Sequence, residues 1–330
     1  MRKVSSRPMK TQLDSSKGGP PEAPSPPRTD RSRRRAAPDN GPRPGPLYIL
    51  PAVLFFGLFA VVPLILVVVL SFSSWPGFGS IEWTGWDNWQ RLINDGRVLE
   101  STRITLMLTA LTWITQTPMA IGIGVWAAGQ QRNRAILSSI FFLPLLLSSA
   151  AIAVLFHRFL DPNFGMARDL GPLIGFPDGN ILGTSHGAFL TVLFVSAWQW
   201  VPFHSLLYQA GARNIPTTLY DAAIIDGANR WDMFWRISLP QLRHTIVTSS
   251  VIMIVGSLIT FETVLLLTGG GPGGATRILP YLMYTAGFEQ FEMGYASAIA
   301  TVLVVVATAI SLVIVRFSGF TKMRSTLEGM

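Results

Sequence analysis

Residues 47–72 read LYILPAVLFFGLFAVVPLILVVVLSF, a stretch without one charged side chain. A helix rises about 1.5 Å per residue, so about 20 consecutive apolar residues carry it through the hydrocarbon core of a bilayer. The stretch therefore predicts a membrane-spanning helix. It does not read as a cleaved leader, being too long for an h-region, preceded by a long polar tail and lacking a small-x-small site after Phe72.

The same length test predicts six spans: Leu47–Phe72, Ser101–Ala128, Leu137–Phe159, His186–Ala210, Thr245–Thr268 and Ala296–Phe317. Composition agrees, since only 13% of the 330 residues are charged while 49% are hydrophobic, and a soluble domain carries charge on about 25%. The fold class is thus an all-α membrane protein with about six transmembrane helices. The second span is the most polar, with Thr102, Thr105, Thr109, Thr112, Thr115 and Gln116, which predicts a helix facing protein rather than lipid.

Charge placement gives orientation. Residues 1–46 hold 11 Lys/Arg and 10 Pro without apolar periodicity, so they read as a disordered, basic, Pro-rich tail. Its Arg31, Arg33, Arg34 and Arg35 either orient the first helix or meet anionic headgroups. If that tail is cytoplasmic, the inner segments also take Arg132, Arg134, Arg213, Arg230, Arg236, Arg243, Arg316, Lys322 and Arg324. The outer side keeps Arg91, Arg97, Arg103, Arg158, Arg168 and Arg277. Basic residues favour the cytoplasm, so both termini are expected there, in a multi-pass protein of the bacterial cytoplasmic membrane. Trp75, Trp83, Trp86 and Trp89 crowd the first outer loop, as interfacial anchors or, alternatively, as a platform for a sugar ring.

Several chemistries find no support. Cysteine is absent, which excludes disulfides and thiolate metal sites. His157, His186, His204 and His244 form no ligand pair at helical spacing. The net charge of +8 follows topology and does not suggest nucleic acid. Only Glu262, His157 and His204 lie within spans away from their ends, few for an ion-coupled carrier. Gly269-Gly270-Gly271-Pro272-Gly273-Gly274-Ala275-Thr276 lacks the lysine of a phosphate loop and follows a membrane helix rather than a strand. No catalytic residues, bound cofactor or metal site are expected, and ATP with Mg would belong to another polypeptide.

The longest inner connection, about 212–243, reads ARNIPTTLYDAAIIDGANRWDMFWRISLPQLR. Pro216 suits a first helical turn, and Thr218 with Asp221 has the spacing of a capping box. At 100° per residue, Leu219, Ala222, Ala223 and Asp226 share a small, nearly flat face. Gly227 then permits a sharp exit. Trp231, Phe234, Trp235 and Ser238 share a face of a second helix expected to pack on the membrane-helix ends. Read alone, the segment is equally an interfacial helical hairpin without a partner.

Asp221-Ala222-Ala223-Ile224-Ile225-Asp226-Gly227-Ala228, followed by Phe234, Arg236, Ile237, Leu239 and Pro240, resembles the EAA loop of binding-protein-dependent ABC permeases. Trp198 with Val201-Pro202-Phe203, Leu267-Thr268-Gly269-Gly270-Gly271-Pro272 and Met293-Gly294-Tyr295-Ala296 resemble the maltose and glycerol-3-phosphate type of sugar permease. Trp86-Asp87-Asn88-Trp89 is similar to a further element of that group. Asp221 replaces the usual Glu, and His244 stands where Pro is common.

The resemblance implies a type I ABC importer transmembrane domain over residues 47–320, with a short cytoplasmic tail at 321–330. The implied partners are a second homologous permease, a cytoplasmic ABC ATPase dimer, an extracytoplasmic sugar-binding protein and the lipid bilayer. The loop would dock on the ATPase, with Leu219, Asp221, Ala222, Ala223, Asp226, Gly227 and Ala228 as its contact residues. A sugar pocket is implied on the helices flanking the loop, at Ser196, Gln199, Trp200, Phe203, His204, Met253, Gly256 and Ser257. An ion-coupled carrier and a scaffold half with little cargo contact are the rival readings.

Overall fold

The computed structural model describes residues 48–129 and 139–317. The two tails, Leu47, Arg132, Arg134 and the start of the third span at Leu137 lie outside the described residues. The chain divides into two units, residues 1–54 and 55–330. Of the first, residues 48–54 are described, and they begin helix α1 (Leu50–Phe56).

In the second unit a π turn, Gly57–Val61, leads to α2 (Val62–Leu70), none of whose side chains is buried. A two-stranded ribbon, β1 (Ser73–Ser74) against β2 (Glu82–Trp83), precedes α3 (Asp87–Asn94) and the long α4 (Gly96–Ala127). Then come α5 (Ser149–Phe159), α6 (Ser185–Arg213), α7 (Thr217–Ile225) and α8 (Arg230–Met233). The chain closes with α9 (Arg243–Leu258), α10 (Glu262–Leu267), α11 (Leu279–Tyr284) and α12 (Met293–Phe317).

Four apolar helical runs are long enough to cross a membrane: Leu50–Leu70, Gly96–Ala127, Ser185–Arg213 and Met293–Arg316. The third and fifth predicted spans are corrected by the structure. Pro144 lies in a 3₁₀ turn, Leu143–Leu146, so the described continuous α-helix there is α5, of 11 residues. A proline removes a backbone donor and crowds the preceding turn. The fifth span is interrupted at 259–261 between α9 and α10, where Phe261 adopts φ −127° and ψ −55°. Broken helices at membrane depth persist where protein or a cavity satisfies the backbone.

The polar stripe on α4 faces protein, as its composition predicts. Thr105 accepts the Leu279 N–H at 2.8 Å, Ser257 donates to Thr109 at 3.2 Å, and Trp113 donates to Ser250 at 2.8 Å. Alongside, α4 packs on α6. Their closest approach is at Gly124, where a Cβ would lie 2.7 Å from the Ser205 carbonyl. Small residues let helices approach without a hydrophobic driving force between them.

The start of α4 is fastened to α12. Asn88 donates to the carbonyls of Ser71 (3.1 Å) and Ser73 (2.9 Å), and Gly294 packs so closely on the Ser73 carbonyl that no side chain fits. Tyr295 donates to Asp95 at 2.8 Å, and Arg91 lies 4.1 Å over the Tyr295 ring while paired with Glu292 at 2.7 Å. Hydrogen bonds from Arg97, first through its side chain, hold the Asp95 carboxyl at about 2, well below the usual range. The other end of α4 meets α6, where Gln209 donates to the Ala127 carbonyl at 2.9 Å.

Candidate functional site

Two arrangements gather the residues of interest: a cavity beside the middle of α4, and the loop beyond the end of α6. The cavity has a volume of about 530 Å³, within the roughly 300–1,000 Å³ typical of small-molecule sites. Seven of the eight residues expected for a pocket line it: Ser196, Trp200, Phe203 and His204 from α6, and Met253, Gly256 and Ser257 from α9. The eighth, Gln199, lies behind the lining and donates to Ser149 at 3.1 Å. His204 Nδ1 shares a 2.8 Å hydrogen bond with Ser249, which fixes the ring on the α9 side.

Sequence reasoning missed a second wall. Thr112 and Gln116 line the cavity from α4, and Thr260, Phe261, Glu262 and Thr263 line it from the break between α9 and α10. The signal for Gln116 was present, four positions after Thr112 in the polar stripe. The signal for the break was weak, since Ile259-Thr260-Phe261 contains neither Gly nor Pro. Gln116 is 1% exposed, and neither amide atom has a hydrogen-bond partner in the protein. Such a group costs about 1–3 kcal/mol unless something hydrogen-bonds it. Aromatic faces beside hydroxyls and one unengaged amide suit a polyhydroxylated guest better than an apolar one.

A larger cleft, about 1360 Å³, lies beneath the loop and is mainly apolar, with Ile121, Val125, Tyr220 and Phe234 among its walls. It houses the aromatic side of the loop and offers few groups to a polar guest.

The loop begins at Ile215, which is buried, and Pro216, which occupies the N-cap of α7 rather than its first turn. No side chain caps this end, so the Thr218–Asp221 box is not formed. The capping box is one turn of chain later: Asn229 accepts from Trp231 N–H (2.8 Å) and Asp232 N–H (3.0 Å), and Asp232 accepts from the Asn229 N–H (3.3 Å). Asn offers a short carbonyl that reaches these donors, whereas Pro216 already sets the entrance to α7 by its fixed φ.

The exit from α7 is a Schellman motif. Gly227 has φ +79°, its N–H bonds the Ile224 carbonyl at 3.0 Å, and the Ala228 N–H bonds the Ala223 carbonyl at 2.9 Å. Nothing in α7 is buried. Leu219, Asp221, Ala222, Asp226 and Gly227 are exposed, and Ala223 and Ala228 are half-buried. Tyr220 anchors the helix from its inner side through a 2.9 Å hydrogen bond with Ser238. The flat face is thus displayed, except that Ala223 sits at its inner edge.

The second face is split. Phe234 packs in the core beside Ala120, Val201 and Tyr208, and Ser238 is buried, but Trp231 and Trp235 are 70% and 57% exposed. The cause is a π turn at Phe234–Ser238, which widens the helix and rotates successive side chains away from the 100° pattern.

Residues 120–319 match the family described as binding-protein-dependent transport system inner membrane component. The multiple sugar-binding transport system permease protein MsmF of Streptococcus mutans is 30% identical over 79% of this chain and 93% of its own length. The arabinooligosaccharides transport system permease protein AraP of Bacillus subtilis is 32% identical over 83% of this chain and 88% of its own. Among solved structures, a bacterial ABC transporter involved in import of the acidic polysaccharide alginate superposes with a TM-score of 0.73, at 26% identity over 82% of this chain and 93% of that one.

Proposed function

Since this chain belongs to the family of binding-protein-dependent transport system inner membrane components, we propose that it is the permease subunit of an ATP-driven ABC importer for a sugar or oligosaccharide. The observation that carries the reading is the cavity at mid-length of α4. Its Trp200 and Phe203 faces alternate with Ser196, Ser257, Thr112 and the unengaged Gln116. Such a lining offers ring faces to the apolar side of a pyranose and hydrogen bonds to its edge.

In this reading residues 47–320 form the transmembrane domain in the cytoplasmic membrane, with both termini inside. The second homologous permease completes the path. The displayed face of α7 docks on a cytoplasmic ATPase dimer, which binds ATP and Mg and hydrolyses the nucleotide. A sugar-binding protein delivers cargo on the opposite side. Transport proceeds by alternating access, with the loop carrying motion from ATPase to α6 and α9. The chain makes and breaks no covalent bond of the cargo.

Reconstitution tests this. Proteoliposomes containing the chain, its second permease and the ATPase should accumulate labelled saccharide only when both ATP and the binding protein are present. Single cysteines in this Cys-free chain should place position 226 on the ATP side and position 87 opposite. ATP-independent uptake driven by an ion gradient would overturn the reading.

A further inference from the structure

The mechanism outlined above gives no role to Glu262. It is the single charged residue among the described residues lining the cavity. It opens α10 at the break in the fifth span, is exposed, and has no ion-pair partner among the described residues. Around it the lining is uncharged, with Thr260, Thr263 and Ser257 hydroxyls, the Phe261 and Phe203 rings and the Gln116 amide. Arg and Lys are absent from these described walls. A cavity built for a carboxylate, phosphate or sulfonate would need the opposite, namely a guanidinium or ammonium to offset the charge it removes from water.

We propose that Glu262 is a specificity-determining residue that makes the cavity discriminate against anionic cargo, so that the chain passes neutral, hydroxyl-rich saccharides and disfavours uronates and sugar phosphates. This rests on the cavity being the cargo path. A neutral sugar loses nothing by the arrangement, because a carboxylate accepts hydrogen bonds from hydroxyls. An anion meets both the like charge and an uncompensated desolvation.

The test reads the charge at the cavity directly. In the assembled transporter, Thr260→Cys is reacted with cationic and with anionic methanethiosulfonate reagents of similar size, and modification of this chain is followed by mass. Two unit charges about 6 Å apart change a rate about threefold if screened as in water and about a hundredfold at the effective dielectric near a protein surface. The cationic reagent gains by that factor and the anionic one loses by it. The ratio of rates should therefore exceed its value on a small free thiol by about tenfold or more.

Adding Glu262→Gln should return the ratio to the free-thiol value. Glu289→Gln, which removes a carboxylate outside the cavity lining, should leave it unchanged. Ile252→Cys, also on the cavity wall and 42% exposed, supplies a second reporter should Thr260→Cys assemble poorly. A ratio that Glu262→Gln leaves within about twofold of the parent overturns the proposal. Absence of saccharide uptake under every condition would overturn the sugar-permease reading without altering the labelling ratio, so the two failures are distinguishable.

Discussion

Replacing Gly227 in three ways separates backbone geometry from side-chain contact at the exposed loop. The residue sits at φ +79°, and a Cβ there would meet nothing within 4 Å. Gly227→Ala is therefore opposed only by the left-handed backbone, about 1–2 kcal/mol, or about five- to thirtyfold in the population holding the native exit. Gly227→Asn should be milder, because Asn visits that region more readily. Gly227→Pro is different in kind. It fixes φ near −65°, a rotation of roughly 140°, and removes the N–H that bonds the Ile224 carbonyl. The neighbouring Ala228–Ala223 bond cannot survive that rotation, so the cost is about 3 kcal/mol or more, about a hundredfold at about 1.4 kcal/mol per decade. ATP-dependent uptake in proteoliposomes, normalised to protein in the membrane, should fall in the order Gly, Asn, Ala, Pro. Wild-type uptake by the Pro variant would refute the reasoning. Asn as damaging as Pro would show that open space at Gly227 is filled by a partner, and that contact rather than φ governs the loop.

Ala222→Leu, on the displayed face of α7, should leave the isolated chain's thermal stability unchanged but lower ATPase co-purification about five- to hundredfold, the effect of about 1–3 kcal/mol of overpacking; undiminished co-purification would move the docking surface elsewhere. Gly294→Ala should force α12 away from the Ser73 carbonyl and lower the unfolding temperature in detergent, at a cost of about 1–3 kcal/mol; an unchanged midpoint would mean that this contact relaxes freely. Asp95, held at about 2, contributes stability that is complete above its unfolded value near 3.8 and is lost as pH falls through 2. Thermal midpoints of wild type should decline across that window more steeply than those of Asp95→Asn, and parallel curves would contradict the Arg97 and Tyr295 contacts as the source.

The sequence discloses long helices well because the bilayer imposes a length that soluble folds do not. Leu50–Leu70 and Met293–Arg316 are plain on apolarity alone. It discloses breaks poorly, because the same apolar residues serve both a helix and a turn once the surrounding protein satisfies the backbone. Ile259-Thr260-Phe261 carries no local sign of the interruption that puts Glu262 and Phe261 on the cavity wall. Offset from the loop was enough to locate residues on α6 and α9, since both helices adjoin the loop in sequence. Thr112 and Gln116 reach the same cavity through the packing of α4 on α6, a relation between distant segments that no single stretch encodes. The π turn at Phe234–Ser238 defeated the helical wheel for a related reason: one residue more per turn invalidates every position after it.

The fastening of α12 to the start of α4 has a mechanical consequence. Asn88, Gly294, Tyr295 and Asp95 tie the Ser71–Ser73 backbone, α3 and two long helices into one body through directional bonds and a contact with no slack. The loop stands beyond the opposite end of α4, a helix of 32 residues and so about 48 Å long. A tilt of α4 about the fastened end therefore sweeps its far end several times farther than it shifts the fastened one, and moves the cavity at mid-length by about half as much. The fastening is the fulcrum of such a beam. Loosening it should blunt motion at the cavity without touching a single cavity residue.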